Sequence, residues 1–276
     1  MRATILVDNH APEGLLAEWG LSILIEQEGR RILLDTGSSG RFLQNAAALG
    51  LDLSQVEAAV LSHAHYDHAD GMAAFFAQNA AAPFYLCGGA AENCYRKNRI
   101  TYHYIGIHRG YLKQFAGRIR YGKEKREIAP GIWLLPHSTP GLDRAGKRAR
   151  MYVRRGLLWR PDDFSHEQSL VVETADGLAV FNSCSHAGAD CIIREVRAAW
   201  PETPIAALIG GLHLFRSSDE TVRAFAGRVR ETGIKTIYTG HCTGDRALAI
   251  LKEELGDGCV RPFETGMVIA VGEPRA

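Results

Sequence analysis

The chain lacks any apolar run of transmembrane length. Its start, Met1-Arg-Ala-Thr-Ile-Leu-Val-Asp8, has neither the apolar core nor the small-residue cleavage site of a secretion signal, so no membrane span is expected and a cytoplasmic location is the default. There is no CxxC pair either. The six cysteines at 87, 94, 184, 191, 242 and 259 are scattered without a disulfide framework, which fits reduced thiols in a reducing compartment. Net charge is nearly absent, at +1, which excludes a global attraction to nucleic acid or membrane. What is there is 276 residues of which 46% are hydrophobic, enough for one large domain or two small ones.

The most informative stretch is Ala59-Val-Leu-Ser-His-Ala-His-Tyr-Asp-His-Ala-Asp-Gly71, where an apolar run ends in three of the chain's eleven histidines and two aspartates within eight residues. Ala59 to Leu61 reads as a buried strand, and Gly71 with the alanine-rich segment after it as a helix start. His63 and His65, two apart, project from one side of an extended segment and can share a cation. Asp67 and His68 follow the bend and can serve a second cation a few ångströms away. Imidazole and carboxylate suit zinc, iron or manganese. A solvated histidine-rich turn is the alternative, but imidazoliums so close would repel unless something bound them.

Elsewhere the chain reads as alternating strands and helices. Thr4–Val7, Leu21–Glu26 and Arg31–Asp35 form a meander, and Asp35 is either a turn residue or an acceptor that orients a metal-bound histidine. Between Arg96 and Arg160 stand seventeen basic residues against three acids, an excess of fourteen positive charges in a nearly neutral chain. Six tyrosines, His103 and His108 lie among them. This segment, about 88–163, is expected to be either a solvated insertion or a lid that attracts an anionic substrate; it shows no RRM, KH or zinc-knuckle pattern for RNA. In the last third, apolar runs at Ser169–Thr174 with Gly177–Phe181, Ile205–Ile209 and Lys235–Tyr238 alternate with helices at 190–200, 219–232 and 245–255. Histidines flank or follow these runs: His166, His186, His213 and His241. Such alternation indicates an α/β fold, in which ligands gather at one set of strand ends.

Ser62-His-Ala-His-Tyr-Asp-His68 resembles the HxHxDH signature of the metallo-β-lactamase superfamily, and the later histidines at strand ends resemble the rest of that pattern. The resemblance implies an αββα sandwich of two mixed sheets between helices, spanning residues 1–276 as one domain. The blocks Glu18–Glu26, His166–Leu170, Ser183–Gly188, Ile209–His213 and Thr239–Gly244 resemble the branch labelled 7,8-dihydropterin-6-yl-methyl-4-(ribofuranosyl)aminobenzene 5′-phosphate synthase-like. Carried over residue by residue, His63 and His65 should hold one metal, and Asp67, His68 and His241 a second. His166 and His186 compete for the third histidine of the first metal. Cys184 stands where the family often has a bridging aspartate.

The resemblance implies two divalent cations, zinc before iron or manganese. It implies a hydrolase acting through a metal-bound hydroxide, with Asp67 orienting that hydroxide. The excess of fourteen positive charges beside the metal motif points to a small anionic, phosphate-containing substrate. The proton donor would be a tyrosine of the basic segment or His213, unless His213 is a satisfied core histidine. The rival expectations are a pterin-related condensing synthase, a di-iron redox enzyme, which normally has Glu where this chain has His65, and a metal-binding protein without catalysis.

Overall fold

The computed structural model describes residues 1–272. Numbered along the chain, one mixed sheet has the order β18 (Val268–Ala270), β1 (Arg2–Val7), β2 (Ser22–Gln27), β3 (Arg30–Leu34), β4 (Ala58–Val60), β5 (Phe84–Cys87), β8 (Ile119–Gly122). A second has the order β17 (Val260–Pro262), β16 (Ile237–Thr239), β15 (Ile205–Ile209), β14 (Gly177–Phe181), β13 (Gln168–Thr174), β10 (Ile132–Pro136), β9 (Arg126–Ala129). Strands β3, β4, β5 and β8 run parallel, as do β14 to β17. Helices α1 (Arg41–Ala48), α2 (Tyr66–Ala69) and α3 (Met72–Gln78) follow strands of the first sheet. Helices α6 (Ala189–Ala199), α7 (Asp219–Glu231) and α8 (Asp245–Leu255) follow strands of the second.

The period-two alternation of the strands sets the layering. In β2, Ile23 and Ile25 join a core shared with Ala179 and Phe181 of β14, while Leu24 faces a separate core with Phe42 and Phe75 from α1 and α3. In β14 the alternate residues Leu178 and Val180 face Ile192, Val196 and Phe225 of α6 and α7. Side chains of one parity therefore glue the two sheets together, and those of the other parity bind helices outside, which makes the αββα sandwich. A side chain such as Phe181, wholly buried in the inner layer, contributes roughly 1.5–3 kcal/mol.

The basic segment is not one lid. Strands β8, β9 and β10 within it belong to the two main sheets. Only its flanks make a separate layer, the antiparallel sheet β12 (Leu158–Pro161), β11 (Met151–Arg155), β6 (Cys94–Lys97), β7 (Tyr102–Tyr104). The short helices α4 (Tyr111–Gln114) and α5 (Asp143–Ala149) lie within the same segment. Many of its cations serve packing: Arg118 binds the carbonyls of Asn79 and Ala82, Lys125 sits 3.6 Å over the Trp200 ring and Arg126 lies over Tyr85. No helix among the described residues is long and apolar enough to cross a membrane.

Candidate metal centre

Strand β4 ends at Val60, and the chain then turns through Ser62 into the histidine loop. Asp35, at the end of neighbouring β3 and wholly buried with φ of 59°, holds that turn. Its carboxylate accepts from Ser62 N–H and Ser62 Oγ–H, each at 2.7 Å, and from His68 Nδ1–H at 2.8 Å. The Ser62 hydroxyl in turn lies 2.8 Å from His63 Nδ1. Both histidines are thereby turned so that Nε2 faces away from the turn. Gly71 lets the loop pack back on the β3 turn, because a Cβ there would run into the Thr36 and Ser39 carbonyls.

Across the seam, the second sheet delivers His186 after β14 and His241 after β16. Glu167 accepts from the backbone N–H groups of His186 and Ala187 at 2.9 and 3.1 Å, and Phe164 stacks on the His186 ring at 4.7 Å. His241 is held by Asp8, which accepts from its N–H at 2.8 Å, and by Asn9, whose Oδ1 lies 3.1 Å from Nδ1. The result is a cage. Ligand atoms of His63, His65 and His186 lie within 4.8 Å of one another, as do those of His63, His68 and Cys184. Asp67 Oδ2 stands 3.7 Å from His241 Nε2 and 3.9 Å from His68 Nε2, fixed by the indole N–H of Trp19 at 2.9 Å.

Among the described residues, Nε2 of His63, His65, His186 and His241 is buried with no hydrogen-bond partner. Such orphans are costly in an interior unless something binds them. Burial first, and then the neighbouring imidazoles, hold His63, His65 and His186 well below the ordinary histidine value, and burial pushes His241 down to about 3. These rings are therefore neutral and offer lone pairs. His68 is the exception: burial opposes its charge, but Asp67 and Asp35 outweigh it and raise the pKa to about 9. Neutral imidazole lone pairs, a carboxylate and a thiol within one cage form a donor set that fits zinc or iron.

Residues 20–138 match the profile of the metallo-beta-lactamase superfamily. A solved structure described as a metal-dependent hydrolase of the beta-lactamase superfamily is 30% identical, with a TM-score of 0.83 over 99% of this chain and 100% of that one. The chain belongs to the metallo-β-lactamase superfamily. A curated relative from Methanocaldococcus jannaschii, named 7,8-dihydropterin-6-methyl-4-(beta-D-ribofuranosyl)-aminobenzene-5'-phosphate synthase, is 26% identical over 270 residues, 92% of this chain and 90% of that protein. An uncharacterised protein of the same organism is 28% identical over 255 residues, 90% of this chain and 93% of its own. A diphosphatase from the PhnP family, 14% identical with a TM-score of 0.58 over 98% of this chain and 97% of that one, shares the fold.

Of the superfamily positions expected from sequence, the structure gathers His63, His65, Asp67, His68, His186 and His241 around one space. His166 falls in a neighbouring group, its ligand atom within 4.8 Å of those of His65, Cys94 and Asp162. Its Nδ1 accepts from Ala64 N–H at 3.1 Å and its Nε2 lies 3.0 Å from Asp162 Oδ2, so both ring nitrogens are engaged. Cys184 Sγ lies 3.3 Å from His68 Nε2 and 3.3 Å from Cys242 Sγ, a neighbour that sequence reasoning did not single out. His213, with φ of 51°, packs its ring 4.4 Å from His186 and leaves Nδ1 without a partner. Trp19, Asp8, Asn9, Phe164 and Glu167 were also missed as functional residues. Only Trp19 and Glu167 carried a signal, by lying inside the blocks that resemble the synthase-like branch. A cavity of about 370 Å³ opens over the cage, lined by Trp19, His65, Asp67, Arg96, His103, His186, His213, Phe215 and Arg216.

Proposed function

We propose that this protein is a metal-dependent hydrolase that acts on a small anionic, phosphate-containing substrate in a reducing, cytoplasmic compartment, where its six free cysteines would stay reduced. His63, His65 and His186 would hold one divalent cation. Asp67, His68 and His241, with Cys184 beside them, would hold a second. Zinc is the first candidate, with iron and manganese compatible. The observation that carries the reading is the convergence of four neutral imidazoles with orphaned Nε2 atoms beside Asp67, lone pairs that two neighbouring cations would satisfy.

A bound cation supplies a Lewis acid and lowers the pKa of water from about 16 to about 7. The chain's own groups do the rest. Asp67, pinned by Trp19, is placed to accept a hydrogen bond from the attacking water and keep it in line. Arg96 and Arg216 on the cavity wall would bind the anionic group and the charge that develops on it. His213, on the same wall as His186, would give a proton to the leaving group. Trp19, tilted against Phe215 with ring centroids 5.0 Å apart, would cover Asp67 on one side.

The test is elemental analysis of protein purified without added metal, paired with a phosphatase and phosphodiesterase screen. About two equivalents of zinc, iron or manganese and turnover of a phosphate ester are expected. Turnover of neutral esters or lactones alone would remove the phosphate half of the reading. Protein that neither carries nor takes up a transition metal would remove all of it. The synthase name of the M. jannaschii relative favours a second reading, pterin-related condensation on the same centre. Incubation with a phosphorylated dihydropterin, followed by mass analysis for coupled product, separates the two.

A further inference from the structure

The cavity over the metal cage continues into a second lobe of about 500 Å³, which shares Arg96, Met151, His186, His213, Phe215 and Arg216 with the first. Arg148 and Arg150 from the end of α5 line this second lobe, and it closes on Ser217 and Ser218 where α7 begins. Four arginines thus face one concavity, and no Asp or Glu is among its lining residues.

Some arginines elsewhere on the surface are neutralised by carboxylates, while others, such as Arg118 and Arg126, are taken up by carbonyls or rings. Arg223 pairs with Glu253 and Glu254, Arg246 with Asp219, Arg30 with Glu57 and Arg155 with Asp163. Among the described residues, Arg96, Arg148, Arg150 and Arg216 have no carboxylate partner in any ion pair. Arg150 donates to the Asn98 carbonyl and Arg216 lies over the Phe215 ring, contacts that leave both positive charges uncompensated. Like charges gathered without counter-charges repel, and their field is focused by the low-dielectric walls of a cleft.

We propose that the second lobe is a subsite for a phosphate group that does not react. A substrate would place its scissile bond over the metal cage while a second, distal phosphate is held by Arg148 and Arg150, with Arg96 and Arg216, which line both lobes, between the two ends. Guanidinium forks bind phosphate and carboxylate oxygens alike two at a time, and several of them together suit the three free oxygens and nearly double charge of a phosphate better than one carboxylate. The floor between the two ends, formed by Met151, Phe164 and Phe215, is apolar, so the body joining them is uncharged. This deepens the hydrolase reading and rests on it for the reacting end only.

The test titrates inorganic phosphate into the protein as purified and into Arg148→Gln/Arg150→Gln, by calorimetry, with metal content measured on both. The expected result is that the variant keeps its metal and binds phosphate about tenfold more weakly. Binding in the parent should weaken with added chloride, and Arg148→Lys/Arg150→Lys should recover part of it. Equal phosphate affinity in parent and variant overturns the subsite. Failure of the hydrolase reading is separate: it appears as protein that binds phosphate through these arginines yet carries no metal.

Discussion

Two sets of histidines, all with side chains shielded from water, are wired in opposite ways. His63, His65, His186 and His241 keep Nε2 unpartnered and turn it toward a shared space. His137 and His166 have every ring nitrogen engaged: His137 lies 2.9 Å from Glu167 and 2.6 Å from Glu195, and His166 sits between Ala64 N–H and Asp162. The first set is held neutral. In the second, His137 is charged, because its two carboxylates outweigh a burial that by itself would lower its pKa, and raise it to about 9. Burial and residue type are the same in both sets, so they do not separate a ligand from a brace. What differs is Nε2, unpartnered in the first set and engaged in the second, with His68, held by Asp35 at Nδ1 and 3.3 Å from Cys184 Sγ at Nε2, between the two. His137 acts through Glu167 on the backbone that carries His186, and His166 acts on the peptide between His63 and His65.

Breaking the open set should have the largest effect. His63→Ala or His65→Ala removes a donor atom, and metal affinity measured by chelator competition should fall by more than about a hundredfold, beyond the 10–100-fold expected for a residue that only orients ligands. Asp35→Ala should come next. It strands His68 Nδ1–H and two Ser62 donors, so chemical denaturation should show a loss of about 3 kcal/mol, with a 10–100-fold drop in metal affinity.

The closed set is sharpened by pH. His137 has a folded pKa of about 9, raised above the ordinary 6.5, so its ion pairs stabilise the fold fully below pH 6.5, and that contribution is lost as pH rises through about 9. The loss is at most roughly 3 kcal/mol. Thermal unfolding followed from pH 6.5 to 10 should show the decline, and His137→Gln should flatten it. His166→Ala should keep the metal stoichiometry of the parent and weaken affinity about tenfold. Loss of a whole metal equivalent would place His166 among the ligands and erase the distinction between the two sets. The smallest effect belongs to Trp19→Phe, which removes one hydrogen bond to Asp67 and should lower turnover by about tenfold or less.

Much of this was legible in the sequence. Apolar runs that stop at histidine are visible because a parallel strand buried on both faces is nearly continuous in hydrophobicity, and its ligands must wait for the turn. Asp35 was visible as an acid at such a strand end, although its alternative as a plain turn residue was excluded only by the His68 and Ser62 contacts. The choice between His166 and His186 was not legible, since it depends on which ring finds Asp162 and which finds Phe164. The basic segment misled in a different way. A charge count does not tell a guanidinium stacked on a ring from one facing a cavity, and the strands Ile119–Gly122 and Ile132–Pro136 were masked by the cations beside them. Only a few of the segment's cations, Arg96, Arg148 and Arg150 among them, face the site.

His63, His65 and His68 ride on one β-sheet, and His186 and His241 on the other. The layer between the sheets is a close-packed apolar cluster that transmits small displacements. The cage does not tolerate them, since a displacement of an ångström would pull apart donors that a cation needs at about 2 Å. Occupancy of the cage is therefore a gauge of how the two halves are aligned, and a substitution deep in the inner layer, such as at Phe181 or Ile23, would be felt as loosened metal before either half began to melt.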